Sequence, residues 1–172
     1  MVSGLVADSR VLVEGARSEA LYYRFVYKDS IPIKALTQSV ADQALNFGEG
    51  DITVNRKPNA RPYGVSLLFA GIDNKKPIMY HTDPSGTIIG YLAKGLGSAE
   101  EGIQSLLEKH YNTDLNIEEG KKLSISILKQ VMEDKIKSDI VDLYSMSIDD
   151  KTFKKHSKEE IEIILTNLPS LD

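Results

Sequence analysis

The side chains best suited to chemistry in this chain are few and scattered. Cysteine is absent, which removes thiol nucleophiles, thiolate metal sites and disulfides. His81, His110 and His156 are far apart in sequence. A metal site is recognised by ligands at close, regular spacing, and His81-x-Asp83 alone offers only a pair. The histidines therefore read as packing or surface residues, with no metal centre. Ser85 stands in Asp83-Pro84-Ser85-Gly86, a turn composition rather than the strained strand-to-helix elbow of a serine hydrolase. Gly95-x-Gly97-Ser98, ahead of a helical pattern, resembles a phosphate cradle, because a helix N-terminus offers free amides and a positive dipole end. It lacks the lysine and the full glycine pattern, so it reads as a tight strand-to-helix turn. No catalytic residue, cofactor site or metal ligand set is expected.

The elements that would position these residues follow from periodicity and caps. Asp8 or Ser9 is placed to cap a first helix carrying Leu12, Ala16, Ala20 and Tyr23. Pro32 suits the first turn of a second helix with Ile33, Leu36, Val40, Ala44 and Phe47 on one stripe and Gly48 as its stop. Residues 49–61, with Gly50, Asn55, Pro58 and Asn59, read as a surface loop. A three-stranded antiparallel meander is expected next: Pro62 to Ile72, Ile78 to His81, and Thr87 to about Lys94, joined by turns at 73–76 and 83–86. The first of these strands becomes apolar on both faces, as in a strand covered on each side. Ser98 with Glu101, Asn116 with Glu119 and Ser157 with Glu160 form three capping-box signatures, each opening a helix. A strand is expected from about Ile140 to Ile148. Helices grouped between antiparallel strands give α+β packing in one domain spanning 1–172. Four strands are few for five helices, and the chain opens directly on helix-entry residues, so the front of the fold is expected to be missing.

Composition sets the class. A hydrophobic fraction of 41% and a charged fraction of 27% are those of a globular chain with a real core, not of a disordered or collagen-like one. MVSGLVADSR lacks the basic segment and apolar core of a signal peptide, and no apolar run is long enough to span a bilayer; an intracellular protein is expected. The formal net charge of −4 argues against nucleic acid as partner, since phosphate neutralisation calls for a dense basic face. Lys151, Lys154, Lys155 and Lys158 are instead interleaved with Asp149, Asp150, Glu159 and Glu160, a solvated surface.

Several segments together carry a family likeness. Ser3-Gly4-Leu5-Val6-Ala7-Asp8-Ser9-Arg10 resembles the S-G-L-x-A-D-x-R segment of proteasome alpha subunits, and Arg61-Pro62-Tyr63-Gly64-Val65 their R-P-[FY]-G-V strand entry. His81 to Gly86 and Gly95 to Gly102 fall at the family's spacing. Residues 47–49, 67–73, 127–133 and 158–162 are similar to the type-5 (zeta) branch.

The resemblance implies a partial four-layer α-β-β-α sandwich of the N-terminal-nucleophile hydrolase type, lacking the gate tail, first helix and first strands. It also implies a non-catalytic role. The partners would be other alpha subunits in a seven-membered ring, the beta ring, and regulatory particles through their C-terminal tails, with no nucleic acid or membrane. Cytoplasm and nucleus are the implied compartments. Catalysis in this architecture uses an N-terminal threonine whose amine serves as base. Active beta subunits carry G-S-G-S where this chain has Gly95-Leu96-Gly97-Ser98, so Leu96 stands in place of a serine. Their R-D-x-x-S stretch falls on residues 133–137, with Lys137 in place of its serine. The alternative reading is a catalytic, beta-type hydrolase subunit of the same fold. The one functional site implied is Gly4, Leu5 and Val6, bordering the pocket that receives regulatory-particle tails. Without the missing strands, apolar faces such as Val65 to Ile72 are expected to be uncovered, so that the chain alone either self-associates or is part of a longer polypeptide.

Overall fold

A computed structural model of the chain describes residues 1–47, 59–132, 136–149 and 152–168. The chain divides into two compact units, Met1–Leu92 and Ala93–Asp172.

In the first unit, β1 (Val2–Gly4) leads into α1 (Val6–Tyr27) and α2 (Ile33–Leu45). The strands β2 (Val65–Asp73), β3 (Lys76–Thr82) and β4 (Ile88–Gly90) follow. These form one antiparallel sheet in the order β1-β2-β3-β4, so the expected meander is joined by a fourth strand on its open side. Alternation along β2 sends Val65, Leu67 and Phe69 to one face, where they meet Leu12 and Ala16 of α1 and Val40 and Ala44 of α2. Each fully buried side chain of this size is worth about 1.5–3 kcal/mol relative to exposure.

The β2–β3 turn is tight. Asn74 and Lys75 both take positive φ (49° and 61°), the geometry whose twist matches that of the flanking strands. The third strand is shorter than expected, ending at Gly90.

Helix entries differ from the sequence expectation in instructive ways. α1 begins three residues earlier than a cap at Asp8 would allow, with Leu5 at its N-cap and no side-chain cap bond. Asp8 is drawn instead to tertiary partners, and the Ser9 hydroxyl donates back to Val6 O (2.7 Å). α2 begins after Pro32, and Asp73 at the end of β2 accepts from the Ile33 amide (2.8 Å), so the sheet supplies the cap. The Gly48 stop and most of the 49–61 loop lie outside the described residues. Toward the C-terminal end of α1, Leu21, Tyr22, Phe25 and Tyr27 are exposed.

The second unit holds α3 (Glu100–His110), α4 (Ile117–Val131), β5 (Tyr144–Met146), β6 (Phe153–Lys155) and α5 (Lys158–Thr166). Ile125, Ile136 and Ile161 form its core, with Val141, Leu143, Ile164, Leu165 and Leu168 packed around them. The Asn116/Glu119 and Ser157/Glu160 capping boxes are both formed. The Ser98/Glu101 box is not: Gly97 takes φ +113°, the Glu100 amide bonds to Gly97 O (3.2 Å), and the helix starts after Ala99. The expected strand 140–148 contracts to Tyr144–Met146, because Ile140 closes a turn onto Lys137 O (3.1 Å). Its partner β6 is a short lysine-bearing segment paired Tyr144↔Lys155 to Met146↔Phe153. Helices with antiparallel strands in both units make the fold α+β. Among the described residues, no helix is long and apolar enough to cross a membrane.

Candidate functional site

Gly4, Leu5 and Val6 meet at one elbow, where β1 turns into α1. Gly4 is the last residue of the strand, Leu5 the N-cap and Val6 the first helical residue. Gly4 adopts φ +120°, open to glycine and strained for any other residue. A Cβ there would lie 2.3 Å from Gly64 O. The elbow is bound to the entry of β2: Leu5 N donates to Gly64 O (2.9 Å), and Gly4 is in register with Val65. A Cβ on Gly64 would sit 2.9 Å from Leu5 Cδ1, the movable end of an exposed side chain.

Asp8 locks this arrangement. Its Oδ2 accepts from Arg61 Nη1 (2.8 Å) and from Gly64 N (2.9 Å), and its Oδ1 accepts from Arg61 Nη2 (3.0 Å). Two parallel guanidinium bonds to one carboxylate are directional as well as strong. The Arg61 hydrogen bonds, with that of the Gly64 amide, hold the Asp8 carboxyl down at about 2. The same bonds raise Arg61. Arg61 Nη1 also donates to Pro62 O (2.9 Å), and its side chain is 61% exposed.

On top of this lock lie two apolar side chains in solvent, Leu5 at 54% and Val6 at 66% exposure. The elbow thus presents exposed apolar groups beside a helix N-terminus whose first turn already holds the Asp8 carboxylate, paired with the Arg61 guanidinium. Its apolar side chains are suited to an extended apolar segment. Sequence reasoning named Gly4, Leu5 and Val6 but missed the Asp8–Arg61–Gly64 lock. The only signal for it was that both motifs contain a charged residue of opposite sign.

The other singled-out residues are not brought to this elbow. Ser85 belongs to a turn: Asp83 Oδ1 accepts from its hydroxyl (2.5 Å), its amide (2.9 Å) and the Thr87 amide (3.2 Å). Burial works to raise Asp83, but these bonds hold it below its ordinary value. His81 lies on β3 with its ring edge-on to Tyr91 (6.2 Å between centroids), and His110 ends α3. Leu96 sits in the turn before α3, where Lys94 is ion-paired with Glu100. The carboxylates of Glu100 and Glu101 occupy the first turn of that helix, an unfavourable setting for phosphate. Lys137 lies in the stretch between α4 and β5, and residues 133–135 lie outside the described residues. Lys154, Lys155 and Lys158 are surface residues paired with Glu160, Asp142 and Asp139. His156 is buried, with Ser145 and Glu160 on its two ring nitrogens. Among the described residues, no group of three or more potential metal ligands converges.

Comparison with known proteins bears on the whole chain. A family model described as "Proteasome subunit" matches residues 1–146. The chain is 41% identical over 167 residues to a protein of Dictyostelium discoideum named proteasome subunit alpha type-5, covering 97% of this chain and 69% of that one. It is 41% identical to the alpha type-5 subunit of Caenorhabditis elegans, over 96% of this chain and 68% of the relative. A probable alpha type-5 subunit of Schizosaccharomyces pombe is 44% identical over 83% of this chain and 57% of its own length.

Proposed function

The chain belongs to the proteasome subunit family, and we propose that it serves as a non-catalytic, structural subunit in the alpha ring of the proteasome core particle. The observation that carries this is the alignment of nearly the whole chain with relatives named alpha type-5. In that role the subunit occupies one position in a seven-membered ring, docks on the beta ring, and takes part in gating the entry of protein destined for ubiquitin-dependent degradation. Cytoplasm and nucleus are the compartments that fit this role. The catalytic, beta-type alternative is not favoured: the relatives are alpha subunits, and Leu96 has no hydroxyl to offer where active members carry serine.

The whole of 1–172 is read as one domain of this family. The match to residues 1–146 supports it, since it runs through the junction at Leu92 without a break. Leu21, Tyr22 and Phe25, exposed together on α1, support burial against ring partners.

The elbow at Gly4, Leu5 and Val6 is read as part of the pocket for C-terminal tails of regulatory particles. Leu5 and Val6 would cover the apolar part of a tail, and the Asp8–Arg61 lock would keep the backbone from yielding. The test is Leu5→Lys in assembled core particle, with tail-peptide binding followed by fluorescence anisotropy. Losing the burial of one leucine, about 1.5–3 kcal/mol, corresponds to weaker binding by roughly tenfold or more, with the ring intact. Unchanged affinity would overturn the assignment.

A further inference from the structure

Ser145 on β5, His156 just after β6 and Glu160 in the first turn of α5 form a continuous hydrogen-bonded relay. Ser145 Oγ lies 2.8 Å from His156 Nε2, and His156 Nδ1 lies 3.1 Å from Glu160 Oε2. The imidazole is only 4% exposed, and its backbone is fixed by the bond from His156 N to Leu143 O (2.9 Å). Lys154 Nζ (2.5 Å) and the Ser157 amide (3.0 Å) orient the Glu160 carboxylate. Chiefly through Lys154, and then Ser157, these bonds hold its pKa down at about 2, so it is anionic at any ordinary pH.

An ionised carboxylate only accepts hydrogen bonds. His156 Nδ1 therefore carries a proton, and in the neutral imidazole Nε2 has a lone pair facing the Ser145 hydroxyl. This is the division of roles by which a histidine acts as base for a serine while an acid orients it.

We propose that Ser145 is an activated nucleophile that accepts acyl groups from activated esters, at a site separate from the elbow and from threonine-type proteolysis. In the step, Ser145 Oγ bonds to the ester carbonyl carbon and its proton passes to His156 Nε2. The bond from that carbon to the leaving phenoxide then breaks, and the phenoxide takes the proton from His156. The products are acyl-Ser145 and a phenol, with no further reactant. Ser145 is half-buried.

The experiment uses the full chain, a fluorophosphonate probe and p-nitrophenyl acetate, with adducts mapped by peptide mass spectrometry. Adduct at Ser145 is expected, absent in Ser145→Ala and about a hundredfold slower in folded His156→Gln, from the loss of a general base. Glu160→Gln serves as the second variant should His156→Gln unfold, and it too should slow labelling. No adduct at Ser145 under conditions that label an ordinary serine esterase would overturn the proposal. So would labelling at the same rate in His156→Gln or Glu160→Gln, leaving the relay a packing element only.

Discussion

Replacing Gly4 by alanine tests whether the elbow is as tightly determined as its geometry implies. At φ +120° an L-residue carries strain of about 1–3 kcal/mol. The added Cβ would stand 2.3 Å from Gly64 O and 3.0 Å from Val65 Cα, both backbone atoms that no rotamer change can move aside. Relief requires β1 to withdraw from β2, which sacrifices the Leu5–Gly64 hydrogen bond, a further loss of about 0.5–1.5 kcal/mol. The sum is about 2–4 kcal/mol, and at about 2–4 °C per kcal/mol for a chain of this size it lowers Tm by roughly 5–15 °C. Differential scanning calorimetry of Gly4→Ala beside wild type reads this directly. Ser3→Ala, one residue earlier in the same strand, is the control and should stay within about 0.5 kcal/mol. A Gly4→Ala protein that unfolds within about 1 kcal/mol of wild type would refute the reasoning, because the strain and the clash would then have been absorbed without loss.

Three further outcomes are expected. Asp8 and Glu160 both have folded pKa values depressed to about 2, below the ordinary carboxylate range near 4. Each stabilises the fold above that range and loses its contribution as pH falls toward about 2, so urea unfolding of Asp8→Asn should vary less between pH 5 and 2 than wild type. Ile161→Ala removes a side chain that is 1% exposed against Ile125 and Ile136, and should cost about 2–5 kcal/mol in chemical denaturation. Homogeneous protein should show no turnover of fluorogenic peptides that proteasome inhibitors block; such turnover would contradict the non-catalytic assignment.

The legible parts of this fold are those specified by neighbours in sequence. The boxes at Asn116/Glu119 and Ser157/Glu160 formed because both partners lie within one helical turn, and their bonds need nothing else. Asp8 looked equally like a cap, but its carboxylate is taken by Arg61 and Gly64, more than fifty residues away. No local pattern reveals that competition. Short strands failed for a related reason. Val2–Gly4 and Phe153–Lys155 are three residues each, too brief for alternation to register, and they exist as strands because a partner is opposite them. The elbow residues Gly4, Leu5 and Val6 came from family resemblance, whereas the lock that holds them needed coordinates. His156 was read as a packing or surface residue, and its burial agrees. Of its two hydrogen-bond partners, Glu160 is four residues on, whereas Ser145 is brought to it by the pairing of β5 with β6.

The pairing of β1 with β2 also has a kinetic side. Val2 is matched to Leu67, whereas Asp73 is matched to Lys76 across the two-residue turn at Asn74 and Lys75. A hairpin closed so locally forms in about 1–10 μs once its residues are available. β1 must instead await a partner some 65 residues downstream. At about 5–20 residues per second of synthesis, that is a delay of roughly 3–13 s before β2 is available to β1. The β2–β3 hairpin can form before β1 meets β2, and the Leu5–Gly64 bond of the elbow has to wait for that meeting.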